Sequence, residues 1–194
     1  SQSIPGILGI DTRSLTKKLR TRGVMLGVLQ VAESGEDIDA ETLRKEALKV
    51  SDPNERDLVE EVTVRDPIRY PGKAARVVLI DCGVKHGILR SLMRRNLEVI
   101  RVPYDFSAGE IMEYSPSAVF ISNGPGDPKK CAKTIETVGQ LVHTHVPIMG
   151  ICLGSQILAL AMGGDTYKLK YGHRSQNQPA LDLETQRCYI TTQN

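Results

Sequence analysis

The chain has 194 residues, 40% of them hydrophobic and 25% charged, which is the composition of a globular protein that can build a packed core. Its formal net charge is only +2 and its basic residues are scattered among acids, which argues against a nucleic-acid-binding or membrane-surface protein. No apolar run approaches the roughly 20 residues that span a bilayer. The four cysteines lack CxxC spacing and the chain shows no export signal, so we expect a reducing, cytoplasmic setting and neither a zinc ribbon nor a disulfide framework.

The first third of the chain has the pattern of a small α/β unit. A helix is expected to begin near Asp11 and Thr12, which are favourable capping residues, and to end at Gly23. The apolar run at residues 24–31 predicts a strand, and residues 40–50 predict a second helix.

A segment rich in proline and charged residues follows, and it indicates a boundary between two domains. We place a linker at residues 66–74. It separates a partial amino-terminal domain at residues 1–65 from a second domain at residues 75–194.

In the second domain, short apolar runs alternate with segments of helical spacing. Strands are expected at residues 77–80, 97–102, 118–122 and 147–151, and helices at residues 84–95, 108–114, 129–143 and 153–162. Alternation with short connections predicts an α/β fold, in which an open, mostly parallel sheet is covered by helices on both faces.

The most informative motif is Gly150-Ile151-Cys152-Leu153-Gly154, which joins an apolar strand to a helix. It is the cysteine counterpart of the Gly-x-Ser-x-Gly nucleophile elbow, whose sharp turn presents the nucleophile at the carboxyl edge of a sheet. The residues two positions away must be small because the chain folds back closely there. We therefore predict that Cys152 is a nucleophile and that the N–H of Leu153 binds a developing oxyanion.

A buried structural cysteine at the end of a strand is the alternative interpretation of Cys152. The other cysteines lack this setting and are expected to be packing residues; they are Cys82, Cys131 and Cys188.

A second loop, Asn123-Gly124-Pro125-Gly126-Asp127-Pro128, follows the third predicted strand of the same sheet. Successive N–H groups in such a turn can form an anion-binding nest, and at the same sheet edge they could supply a second oxyanion donor. A plain Pro/Gly turn is the alternative.

These motifs resemble the class I (triad-type) glutamine amidotransferases, whose signature is matched by Cys152-Leu153-Gly154-Ser155-Gln156. Further segments narrow the resemblance to the small, glutamine-hydrolysing subunit of carbamoyl-phosphate synthetase. Those segments are residues 9–15, 80–85, 123–128, 171–174 with Asn177 and Pro179, and 192–194. The cysteine signature alone is shared by many amidotransferases, whereas the segments together are specific and run over essentially the whole chain.

The resemblance implies that Cys152 attacks the side-chain amide of L-glutamine and forms a thioester. It also implies an oxyanion hole made by the N–H groups of Leu153 and Gly124. The residues that it implies for glutamine binding are Gly124, Gly126, Leu153, Gln156 and Asn194. Ammonia would pass to a large synthetase subunit that uses ATP and Mg²⁺, so no metal and no organic cofactor is expected in this chain.

The sequence departs from the family at two positions, with Ser155 where many members have His and Ser175 where Gly is common. We expect altered packing at these positions and no loss of chemistry.

The family's general-base His and its orienting Glu are not matched by any of the four histidines, which are His86, His143, His145 and His173. We therefore expect the chain to be a piece of the subunit, truncated at both ends, that by itself hydrolyses glutamine poorly. Two other interpretations stay open, a non-catalytic scaffold or docking subunit with a relic elbow, and a cysteine hydrolase that cleaves another γ-glutamyl bond.

Overall fold

A computed structural model describes residues 4–32, 37–170, 172 and 175–193. Its helices are α1 (Thr12–Arg22), α2 (Ala40–Ala47), α3 (Leu58–Val62), α4 (His86–Arg94), α5 (Ala108–Glu113), α6 (Ala132–Leu141) and α7 (Leu153–Ala161). Its strands are β1 (Ile68–Tyr70), β2 (Arg76–Asp81), β3 (Glu98–Pro103), β4 (Ala118–Ile121), β5 (Ile148–Gly150), β6 (Ser175–Leu181) and β7 (Cys188–Gln193). None of the described helices is both long and apolar enough to cross a membrane.

The chain divides into two compact units, one formed by residues 1–50 with 167–194 and the other by residues 51–166. The second unit holds a five-stranded sheet in the order β1-β3-β2-β4-β5. Strands β2 to β5 are parallel, and only β1 at the edge is antiparallel to its neighbour β3. The predicted open, mostly parallel sheet is therefore confirmed.

Both faces of this sheet are buried by helices, because alternate residues of β2 point into different apolar clusters. Val78 and Ile80 pack with residues of α5, α6 and α7, among them Ile111. Val77 and Leu79 belong to a second cluster that contains residues of α4. Two-sided burial explains why β2 is apolar along most of its length and does not alternate with polar residues.

The first unit contains α1, α2 and the antiparallel hairpin β6–β7. Helix α1 begins as predicted, since the Asp11 carboxylate accepts a hydrogen bond of 2.8 Å from the Ser14 N–H. It ends at Gly23, whose φ of 89° favours glycine. Gly23 is also the only buried residue among the described residues of this unit.

Two local predictions are corrected by the structure. Residues 24–31 form no strand, because no described segment pairs with their N–H and C=O groups. All eight residues are exposed. The predicted linker at residues 66–74 contains strand β1, which pairs Ile68 with Arg101 and Tyr70 with Val99. The prolines on either side of β1 are tolerated because an edge strand leaves one row of backbone groups unpaired. The assignment of residues 1–65 and 75–194 to two domains stays a prediction.

Candidate active site

The turn from β5 into α7 has the geometry of a nucleophile elbow. Cys152 lies between the strand and the helix with φ 55° and ψ −112°, and its side chain is exposed. A positive φ is uncommon for a residue with a β-carbon and costs roughly 1–3 kcal/mol. Such strain is typical of functional sites, and here it presents the thiol of Cys152 at the carboxyl end of the sheet.

The two glycines of the motif are required by close backbone approaches. A β-carbon on Gly150 would overlap the carbonyl group of Gly154 and would lie 2.6 Å from the Ser155 nitrogen. A β-carbon on Gly154 would lie 2.7 Å from the carbonyl carbon of Ile121 and 2.8 Å from the backbone carbonyl oxygen of Ser122. The small residues that the sequence predicted on either side of Cys152 are thus explained by packing.

The backbone at the start of α7 leaves the N–H of Leu153 available as a donor. The N–H of Ile151 bonds to Ile121 O at 3.1 Å, and the N–H of Gly154 bonds to Ile151 O at 3.0 Å. The Leu153 N–H, between them, donates to no acceptor in the described part of the chain. It is therefore free to bind an oxyanion that forms next to the thiol.

The second predicted loop adjoins this elbow. A β-carbon on Gly124 would lie 2.6 Å from Leu153 Cδ2 and would overlap the Cys82 carbonyl oxygen. The Gly124 backbone therefore packs directly between the end of β2 and the first residue of α7. Its own N–H, like that of Leu153, donates to no described residue.

Two polar side chains after β4 fix the conformation of this loop. Ser122 Oγ is buried, accepts a hydrogen bond of 2.9 Å from the Cys82 N–H and donates one of 2.7 Å to Asn123 O. Asn123 Oδ1 accepts from the Lys85 N–H at 3.0 Å, and its Nδ2 donates to Gly83 O at 3.3 Å. Neither residue has a role predicted from the sequence, although polar residues directly after an apolar strand were the available signal.

Of the three remaining residues predicted to bind glutamine, the structure describes two. Gly126 lies in the second loop with φ 82°, and Gln156 is exposed on α7, where its N–H bonds to Cys152 O at 3.2 Å. Asn194 lies outside the described residues, as does His173. The roles of all the predicted site residues stay predictions.

The four cysteines differ in their surroundings. Burial, with added repulsion from the carboxylates of Asp57 and Asp127, raises the pKa of the Cys131 thiol to about 12. Burial likewise raises the pKa of Cys82, so both are held as inert thiols. Cys188 is exposed on β7, which corrects its prediction as a packing residue.

No histidine in the described ranges hydrogen bonds to the Cys152 thiol. His86 begins α4, and His143 and His145 follow α6; all three side chains are exposed. The described residues also contain no group of three or more His, Cys, Asp or Glu side chains that could hold a metal ion.

Comparison with known proteins shows the family to which the chain belongs. A sequence model of the family described as Glutamine amidotransferase class-I matches residues 78–194. A protein of Methanopyrus kandleri named carbamoyl phosphate synthase small chain is 52% identical over 191 residues, which are 98% of this chain and 53% of that protein. Proteins of the same name from Methanocaldococcus jannaschii and Saccharolobus solfataricus are 51% and 40% identical, over 98% and 100% of this chain and 54% and 51% of theirs. The chain spans about half the length of these relatives.

Proposed function

Because the chain belongs to the class I glutamine amidotransferase family, we propose that it is the glutamine-hydrolysing part of a carbamoyl-phosphate synthetase, with Cys152 as its nucleophile. The observation that carries this proposal is the strained conformation of Cys152, at φ 55°, between two glycines that no larger residue could replace. The names of the relatives support the proposed synthetase.

The proposed reaction has two covalent steps. The Cys152 sulfur attacks the side-chain amide carbon of glutamine, a C–S bond forms, and the C–N bond breaks as the nitrogen takes a proton and leaves as ammonia. Water then attacks the thioester carbon, a C–O bond forms, and the C–S bond breaks, so that glutamate is released and the sulfur regains a proton as the Cys152 thiol. The N–H groups of Leu153 and Gly124 stabilise the oxyanion in both steps, and one such donor is typically worth about 10²–10³ in rate.

The substrate is held by the residues that carry the family's pattern. We propose that glutamine contacts Gly124, Gly126, Leu153, Gln156 and Asn194. Gly124 of the second loop contacts Leu153, the first residue of α7. Gly126 lies in the same loop as Gly124, and Gln156 lies in the same helix as Leu153. A positioned general base is typically worth about 10²–10⁴ in rate. Because no described histidine bonds to Cys152, we propose that the 194-residue chain alone hydrolyses glutamine slowly.

The ammonia is proposed to be used by a large synthetase subunit, which is the partner that the name "small chain" of the relatives suggests. ATP and Mg²⁺ would act in that partner, and this chain would need no metal or organic cofactor of its own. A non-catalytic scaffold with a relic elbow is not favoured, because the relatives are named as part of a synthase and the elbow geometry is intact.

The first prediction concerns selective modification of Cys152 by a glutamine-like diazoketone, 6-diazo-5-oxo-L-norleucine. Its diazo carbon takes the thiol proton, the sulfur bonds to that carbon and N₂ leaves. We expect the label at Cys152, with protection by glutamine, in peptide mass spectrometry.

The chain provides its own controls for this experiment. Cys188 is exposed and reports non-specific alkylation, whereas Cys82 and Cys131 are buried and report unfolding. Labelling of Cys152 and Cys188 to the same extent, without protection by glutamine, would contradict the proposed function.

A further inference from the structure

Residues 57–64 cross the carboxyl edge of the sheet directly before β1, and we call this segment the strap. It contains α3, whose first turn is capped by the Asp57 carboxylate through the N–H groups of Val59 and Glu60. Val59 is 1% exposed and joins the larger apolar cluster. The strap precedes residue 78, where the match to the amidotransferase family begins.

Hydrogen bonds fasten the strap to the ends of β2 and β3. Thr63 Oγ1 donates to Asp81 O at 2.7 Å and accepts from the Tyr104 N–H at 3.1 Å. The Val64 N–H donates to Asp81 Oδ2 at 2.8 Å. At the other end, the Tyr104 hydroxyl donates to Asp57 Oδ2 at 3.0 Å. The strap is thus held at both of its ends.

Between these anchors, two apolar side chains of the strap face the loops of the candidate site. A β-carbon on Gly126 would lie 3.5 Å from Leu58 Cβ, so Leu58 covers the free side of that glycine. A β-carbon on Gly83 would lie 2.9 Å from Val62 Cγ2 and 3.3 Å from the Pro125 ring. Leu58 therefore packs on the second loop directly, and Val62 packs on the turn that adjoins Pro125.

We propose that Leu58 and Tyr104 are positioning residues for glutamine hydrolysis, because the strap holds residues 124–126 in the conformation that presents the Gly124 N–H to the oxyanion. This inference rests on the proposed function. Ser122 and Asn123 hold the loop only at its β4 end, and Gly126, with its positive φ, has no side chain of its own with which to pack. Leu58 supplies the missing packing from outside the loop.

The test compares two reactions of the same thiol. The ketone oxygen of 6-diazo-5-oxo-L-norleucine stands where the glutamine amide oxygen would, so its reaction depends on the oxyanion donors. Iodoacetamide alkylates an accessible thiol without needing them. In Leu58→Ala we expect the rate of diazoketone labelling at Cys152 to fall about tenfold, which is part of the value of one oxyanion donor. The rate with iodoacetamide should stay within about twofold of that of the unmodified chain, because Cys152 remains exposed.

Three further variants distinguish a positioning role from a general loss of folding. Leu58→Met keeps most of the side-chain volume and should restore the diazoketone rate. Tyr104→Phe removes only the hydroxyl that bonds to Asp57 and should lower that rate about threefold, with no change toward iodoacetamide. Glu61→Ala is the matched control on the same helix, since this side chain is exposed and pairs only at the surface with Arg56.

The possible outcomes separate the two proposals. If the unmodified chain labels at Cys152 but Leu58→Ala changes neither rate, or lowers both rates equally, the positioning role of the strap is wrong and the proposed function stands. If the unmodified chain shows no glutamine-protected labelling at Cys152, both proposals are wrong.

Discussion

Cys152 can hold its strained backbone only because the residues around it leave room for the turn. Gly150 packs against the Gly154 peptide, and Gly154 packs against the end of β4, so three backbone segments meet without intervening side chains. Any β-carbon at these positions would have to push one of those segments away. The pattern Gly-x-Cys-x-Gly is thus a packing requirement of the turn as well as a functional signature.

This packing predicts opposite effects for two glycine substitutions. Gly154→Ala should lower the free energy of unfolding by about 3 kcal/mol, since the new methyl group overlaps Ile121 and an overpacked site cannot relax easily. Gly87→Ala should raise it by about 0.5–1 kcal/mol, because Gly87 lies in α4 with nothing within 4 Å of its β-carbon position. Urea unfolding of both variants measures the difference, and equal effects would contradict the proposed packing of the elbow.

Among the secondary-structure elements, β2 carries several polar interactions at its carboxyl end. Asp81 is fully buried there, and its Oδ2 accepts from Arg101 Nη2 at 2.7 Å. Its Oδ1 accepts from the N–H groups of Gly83 and Val84 at 3.1 and 2.8 Å, which shapes the turn into α4. One carboxylate therefore ties β2, β3, the strap and the following turn together.

Asp81→Asn should therefore destabilise the protein strongly. The amide NH₂ would face groups that are themselves donors, and the Arg101 side chain, which is 15% exposed, would lose its carboxylate partner. Breaking a buried pair typically costs about 3–5 kcal/mol. Asp105→Asn is the control, because the Lys133–Asp105 pair is 3.4 Å long with side chains 70% and 41% exposed. Such surface pairs are worth less than about 1 kcal/mol. Similar small losses in urea unfolding for both variants would show that Asp81 is not a structural anchor.

Elements whose signals are local in the sequence were predictable, whereas contacts between distant residues were not. The strand-to-helix turn at Cys152 was predictable because its signature lies within five consecutive residues. The hairpin β6–β7 and the contacts of the strap were not, since Tyr104 binds Asp57 from 47 positions away and no periodicity records such a pair. The apolar run at 24–31 has the composition of a strand, but a strand also needs a neighbour, which sequence composition does not supply.

On the scale of the whole molecule, burial is divided unequally between the two units. All the buried apolar side chains of the described residues lie in the second unit, from Val59 to Ile157. The first unit exposes many of its large apolar side chains, including Leu8 at 92% and Val31 at 72%. Because apolar burial is the main favourable term in folding, the first unit gains little stability from a core of its own.

This division predicts a two-level pattern of amide hydrogen exchange. The amides of β2, β3 and β4 should exchange only through global unfolding, because these strands are central and buried on both faces. Helices α1 and α2 have 11 and 8 residues, and isolated helices shorter than about 12–15 residues are marginal in water. Their amides should exchange orders of magnitude faster, as measured by mass spectrometry of peptides from each unit. Slow exchange in α1, equal to that of β2, would contradict this expectation and would mean that the exposed apolar side chains of the first unit are covered in solution.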